Sequence, residues 1–246
     1  MIIDVHAHLG EDYVFDIAQT EQTLLDGYDA CSVDKAIIQP FMYRPYLEDM
    51  RQAHDRIARF CKAHPGRFYG MASINPHFRP EDYEREAVRC MHELGFVGLK
   101  ISTIGTATDP SSKDGLHVFE VARALGVPVM IHTGNGAPLA DPVSAWNAIE
   151  QFPTVKTVLA HTGGNSMQQQ AVLLAKKYDN VYLEPSWMPS VCIASMIQQV
   201  GASRVMFSSD EAGNLEPALH TFRAMAGSEE NLKWVLAKTA QEVYGI

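Results

Sequence analysis

His6 and His8 stand two positions apart at the start of the chain. In an extended segment, residues two apart point to the same side. Two imidazoles on one face of a strand end can therefore chelate a single ion. His132, in Ile131-His132-Thr133-Gly134, and Asp210, in Ser208-Ser209-Asp210, extend the set to three nitrogens and one carboxylate. Such a set suits zinc and tolerates manganese, iron or cobalt, with positions left open for water or substrate. An HxH pair is a weak signal by itself; its force comes from where the other polar residues fall. His161 ends Leu159-Ala160-His161, Lys100 sits in Leu99-Lys100-Ile101, and Glu184 ends Tyr182-Leu183-Glu184. A lysine so placed can bind an anion, form a carbamate bridging two metals, or cap a carboxylate. Glu184 suits a structural role as well as a catalytic one.

Each of these residues lies at or beside the end of a predicted strand. Short β-branched or apolar runs cover 2–5, 35–39, 68–74, 97–101, 127–131, 155–160, 181–183 and 204–208. Several are apolar almost throughout, as strands buried on both faces are. Between them, apolar residues at three- and four-residue spacing predict helices over 20–30, 47–63, 81–94, 115–125, 142–151, 166–177, 190–200 and 216–225, with a last one over 229–244. Gly95 and Gly126 fall where helices end. Eight strand-then-helix units predict an α/β fold, a closed (β/α)8 barrel, rather than an open doubly wound sheet, since no GxGxxG follows the first strand. No Ser/Gly/Pro-rich linker or charge block divides the chain, so residues 1–246 are expected to form one domain. In a barrel, chemistry gathers at the C-terminal strand ends. Four of the ten histidines, in three different units, fall there; His54, His64, His77, His92, His117 and His220 lie on helices or loops and are expected to be structural.

The composition narrows the partners. With Lys plus Arg at 20 and Asp plus Glu at 29, the chain carries a net charge of −9 and no basic run, which disfavours nucleic acid. No apolar stretch reaches 18 residues, so no helix is expected to cross a membrane. The first residues read as a strand rather than a signal peptide. Cys31, Cys61, Cys90 and Cys192 form no CxxC pair and suggest free, mostly buried thiols in a reducing cytoplasm.

The segments Ile3-Asp4-Val5-His6-Ala7-His8, Ile131-His132-Thr133-Gly134, Ala160-His161-Thr162-Gly163-Gly164 and Ser208-Ser209-Asp210, taken in order, resemble the amidohydrolase superfamily. The nearer likeness is to its amidohydrolase-2 branch, which includes aminocarboxymuconate-semialdehyde decarboxylase. The resemblance implies a distorted (β/α)8 barrel with one divalent metal, most often zinc and with manganese as the other choice, on His6, His8, His132 and Asp210. It implies a catalytic role for His161; in binuclear relatives that histidine binds a second metal, bridged by a lysine carbamate that Lys100 could supply. Two departures stand out. The stretch 238–245 lacks the asparagine-alanine pair common in the last helix of this branch. The chain also lacks long insertions after the early strands, which implies an open pocket better matched to a small substrate than to a large aromatic one.

Two chemistries fit. In the first, metal-bound water, its pKa lowered from 15.7 towards about 7, attacks a small ester, lactone or amide. Protonated His161 then stabilises the oxyanion, and Asp210 carries the water's proton to the leaving group. In the alternative, the same residues support a lyase, a decarboxylase or hydratase, acting on a small carboxylic acid. Lys100 and Arg44 are candidates to hold a substrate carboxylate, with Glu184 nearby and Trp187 and Phe41 placed to wall the pocket. A homodimer is compatible with the class.

Overall fold

The computed structural model describes residues 1–13, 15–41, 45–134 and 138–246. β1 (Ile3–Asp12) turns back at its end into a hairpin with β2 (Ile17–Gln19), which the hydrophobic pattern did not predict. On its other side β1 pairs in parallel with β3 (Lys35–Pro40), and β3 with β4 (Phe68–Gly70). β5 (Ala72–Ser73), β6 (Leu99–Ile101), β7 (Val129–His132), β8 (Thr157–Ala160) and β9 (Val181–Glu184) follow in parallel order. The two runs join where the Met71 N–H donates to the Ile38 carbonyl at 2.9 Å. The eighth strand is the segment 205–210. Its Met206 N–H donates to Leu183 at 2.9 Å, its Phe207 carbonyl accepts from Val5 at 3.2 Å, and its Asp210 N–H donates to His6 at 2.7 Å. These bonds close the ring, so the fold is the expected (β/α)8 barrel.

Helices cover the ring: α1 (Glu21–Ala30), α2 (Leu47–Ala63), α3 (Pro80–His92), one-turn α4 (Thr103–Thr106), α5 (Lys113–Leu125), α6 (Trp146–Gln151), α7 (Gly164–Lys177), α8 (Ser190–Val200) and α9 (Leu215–Met225). Their starts follow local chemistry. Thr20 caps α1 by accepting from the Thr23 N–H, and Ser112 caps α5 by accepting from the Gly115 N–H, both at 3.1 Å. The predicted last helix is α10 (Glu229–Lys233) and α11 (Thr239–Tyr244), joined by a wide π-turn over Trp234–Lys238.

Apolar residues form two layers. The larger lies between strands and helices and includes Ala7, Leu9, Ile38, Leu99, Ile131, Leu159 and Phe207. The smaller fills the ring, with Ile3, Val5, Ile37, Met71, Met130, Val158 and Met206 closed from below by Ala240 and Val243. Strand alternation then sends every second residue inward. Past Met130 comes His132, past Ala160 the turn of His161, past Tyr182 comes Glu184, and past Met206 come Ser208 and Asp210. β1 departs from this rule. Ile3 and Val5 face inward, yet so do His6 and His8, because one extra residue is inserted between the pairs Asp4–Ala36 and Ala7–Ile38. This bulge shifts the phase of the strand by one residue.

All four cysteines are free, but only Cys90 is buried; Cys31, Cys61 and Cys192 are half-buried against the edge of the core, less covered than expected. No helix among the described residues is long and apolar enough to cross a membrane.

Candidate metal centre

His6 Nε2, His8 Nε2 and Asp210 Oδ1 form a nearly equilateral triangle. The two nitrogens lie 3.1 Å apart, and the carboxylate oxygen lies 3.1 Å from His6 and 3.2 Å from His8. The opposite ring nitrogens show which atoms carry protons. His6 Nδ1 donates to Glu184 Oε2 at 2.8 Å, and His8 Nδ1 donates to the Pro40 carbonyl at 3.0 Å. Each neutral ring therefore aims its Nε2 lone pair into the triangle. Burial and the Lys100 charge push His6 down to about 3, against the pull of Asp210 and Glu184, so its ring stays neutral. Three lone pairs on one point, with no proton among them, suit a cation. The fit to a divalent metal is good by donor type and by the hydrogen bonds that orient both rings.

Glu184 was expected near substrate. The structure places it wholly buried behind His6. Oε2 accepts from His6 Nδ1 and from the His161 N–H at 3.2 Å; Oε1 accepts from the Ser186 N–H at 2.8 Å and from the Ser208 hydroxyl. Both oxygens are thus occupied, and none faces a substrate. Burial would raise its carboxyl, yet the His6 N–H that faces it and the Ser208 hydroxyl hold it down at about 2.

His132 and His161 line the next part of the ring, their centroids 4.7 Å apart, with His161 also 5.1 Å from His6. His132 is not among the donor atoms that come within 4.8 Å of one another in the triangle. The sequence-based ligand set is therefore brought together in three of its four members. His161 Nδ1 is held by the Ser186 hydroxyl at 2.7 Å, which leaves Nε2 as its free-facing nitrogen. The turns carrying these two histidines are tied by Thr133, whose hydroxyl donates to the Ala160 carbonyl at 2.7 Å and accepts the Gly163 N–H at 2.8 Å. Gly163 has φ +80°, and a Cβ there would lie 2.9 Å from Pro142 Cγ, so only glycine fits this turn.

Lys100 is buried, with Nζ 3.4 Å from His6 Nε2. Burial pushes it down to about 8, against the pull of Glu184 and Asp210. The Trp187 indole donates to Asp210 Oδ2 at 2.7 Å while the residue remains 55% exposed. Phe41 stacks on His8 at 4.6 Å, so its apolar body supports a ligand ring rather than forming an open wall. Arg44 lies outside the described residues. His161, Thr162, Trp187 and Asp210 all hold left-handed backbone, φ 46–69°, where non-glycine residues rarely go. Such local cost is what a site held by its surroundings tolerates.

Two groups escaped the sequence reading. Asp4 is fully buried, and Ser186 serves His161 from the turn after β9. A charged residue inside the apolar run Ile2-Ile3-Asp4-Val5 was the available signal for the first. Two more donor trios come within reach of one another: His6, His161 and Glu184, which shares His6 with the triangle, and His54, Glu86 and Cys90, which is buried between α2 and α3. His54 Nε2 accepts the Ser73 N–H at 3.2 Å, so its Nδ1 carries the proton that goes to Glu86 at 2.9 Å. Arg51 and Arg89 also bind Glu86. That nitrogen has no lone pair for a metal, and the cluster is structural.

A family profile described as Amidohydrolase matches residues 3–246. The chain is 26% identical over 251 residues to a gamma-resorcylate decarboxylase of Polaromonas sp. (strain JS666 / ATCC BAA-500), covering 80% of this chain and 76% of that one. Its fold is similar to a 2,6-dihydroxybenzoate decarboxylase solved with 2,6-dihydroxybenzoate, at TM-score 0.82 and 17% identity, covering 100% of this chain and 99% of that one. It is also similar to a dihydroxybenzoic acid decarboxylase from Polaromonas sp. JS666 solved with manganese and 2-nitroresorcinol, at TM-score 0.78 and 19% identity, covering 99% and 96%.

Proposed function

The chain belongs to the amidohydrolase family, and on that premise we propose that it is a metal-dependent decarboxylase of a small aromatic carboxylic acid, using Mn²⁺ on His6, His8 and Asp210. The proton-free triangle of donors is the observation that carries the metal. Two histidines and one carboxylate leave several coordination positions open, as a six-coordinate ion requires. Manganese is preferred to the zinc expected from sequence because a structural relative holds it. The lyase is preferred to the hydrolase because the curated relative is a decarboxylase.

A divalent cation bound there supplies Lewis acidity to substrate oxygens. The chain's own residues do the rest. The Lys100 ammonium, buried beside the triangle, attracts the substrate carboxylate. Trp187 bounds the space with aromatic surface. His161, anchored through Nδ1, delivers a proton from Nε2 to the carbon that bears the carboxylate. The ring's electrons form that C–H bond. Loss of carbon dioxide then returns the electron pair of the broken carbon–carbon bond to the ring, and solvent reprotonates His161.

The test is product identity. Protein stripped of metal and reloaded with Mn²⁺ is incubated with 2,6-dihydroxybenzoate and related hydroxybenzoates. Carbon dioxide and the matching phenol are expected in equal amounts. Acid release from an ester or lactone panel, with no gas from any carboxylate, would restore the hydrolase reading.

A further inference from the structure

The bulge that turns His6 and His8 inward needs an anchor, and one buried side chain supplies it. Asp4 lies on the outward face of β1, fully buried, two residues before His6. Its Oδ1 accepts the His6 N–H and the Ser209 N–H, both at 3.1 Å. Its Oδ2 accepts the Ser209 hydroxyl at 2.5 Å and the Tyr28 hydroxyl at 3.1 Å. The His6 amide sits within the inserted residue step of β1, where the ladder is interrupted. Ser209 immediately precedes Asp210. One carboxylate thus joins the backbone of His6, a proposed ligand, to that of Ser209, the residue before another proposed ligand, Asp210, while α1 holds it from behind through Tyr28.

We propose that Asp4 is a positioning residue for the metal centre, clamping the β1 bulge to the strand-eight turn so that His6 and Asp210 meet. The physical reason is phase. Without the inserted step, the inward face set by Ile3 and Val5 would continue through Ala7 and Leu9, and both histidines would turn toward the helices. A buried amide released by the bulge must also find an acceptor. Asp4 does both jobs from outside the ring and touches no substrate or metal itself.

This inference rests on the metal reading above, and its test separates the two. Mn²⁺ affinity is measured by calorimetry on the full chain for wild type, H6A/H8A, D4A and D4N, with apo-protein melting and circular dichroism alongside. Wild type is expected to bind one Mn²⁺ and H6A/H8A none; failure of wild type to bind sinks the metal reading itself. Asp4→Ala is expected to weaken Mn²⁺ binding tenfold or more in protein that still folds. Asp4→Asn is expected to stay within about threefold of wild type, because its amide oxygen accepts both N–H groups and its NH₂ donates to the Ser209 and Tyr28 hydroxyls. A merely structural aspartate would lower the melting temperature of the apo-protein and leave the affinity of the folded form unchanged. Wild-type affinity in folded D4A overturns the proposal. So does a tenfold loss in D4N, which keeps the clamp and is the deciding variant if D4A does not fold.

Discussion

Glu184 stands behind His6, its Oε2 2.8 Å from Nδ1, and that one bond fixes both the tautomer and the tilt of a proposed ligand. The carboxylate also receives the backbone N–H of His161, so it sets two site histidines at once. Outer partners of this kind matter to metal affinity about as much as a tenfold to hundredfold change. Glu184→Gln is expected to weaken Mn²⁺ binding by about tenfold and Glu184→Ala by more, read by calorimetry. Unchanged affinity in both would show that His6 is oriented by packing alone.

His161 lies outside the donor triangle, so its removal separates chemistry from metal binding. His161→Ala and His161→Asn are each expected to retain one equivalent of Mn²⁺ by elemental analysis while kcat for decarboxylation falls about a hundredfold to ten-thousandfold. Loss of the metal with the activity would make His161 a ligand and favour a two-metal site.

Much of this was legible in the sequence, for reasons that can be named. Apolar runs buried on both sides mark parallel strands, and residues that end such runs at one rim must converge when the ring closes. His6, His8, His161 and Asp210 follow from that rule. What was not legible depends on phase and on contacts between distant segments. The sequence has no mark for the extra residue between Asp4 and Ala7, and regular alternation from Val5 would have turned His6 away. Glu184 ends a strand like the other site residues, but only the crowding of His6, Ser186 and Ser208 around it shows that it has no oxygen for substrate. The β2 hairpin was missed because its three residues carry too short a pattern.

Lys100 places an ammonium 3.4 Å from a nitrogen that the metal would use. Like charges in a buried setting repel strongly. Lys100→Met is therefore expected to tighten Mn²⁺ binding about tenfold while raising KM for a carboxylate substrate by about as much, since it removes the anion's partner. A variant with normal KM would remove Lys100 from the substrate site.

Glu86 offers a pH test away from the metal. Burial works to raise its carboxyl, but hydrogen bonds from His54, Arg89 and Arg51 outweigh it and hold the group well below the usual range. A folded value below the unfolded one stabilises the protein above the unfolded pKa, about 4.3, and that stability is lost as pH falls through the folded value. The melting temperature of wild type should therefore fall more steeply than that of Glu86→Gln below about pH 5. At neutral pH, Glu86→Ala should cost about 3 kcal/mol, because it leaves buried partners unpaired. His54→Ala should lower stability in the same way, with kcat per folded molecule unchanged. Parallel wild-type and E86Q melting curves from pH 7 to 3 would contradict the network's role.

Trp187 joins two functions that substitution can pull apart. Its indole N–H holds Asp210 Oδ2 at 2.7 Å, leaving Oδ1 for the triangle, and its ring is exposed enough to meet a flat substrate. Its backbone is left-handed, φ 62°. Trp187→Phe removes the donor and keeps an aromatic face. It is expected to weaken Mn²⁺ binding about threefold to fivefold with little change in KM for an aromatic carboxylate. Trp187→Ala removes both, so the same loss of metal affinity should come with a KM raised about tenfold, the scale of one aromatic stacking contact. If Phe and Ala raise KM equally, the indole acts only through Asp210; if neither changes metal affinity, the bond to Oδ2 does not orient the ligand.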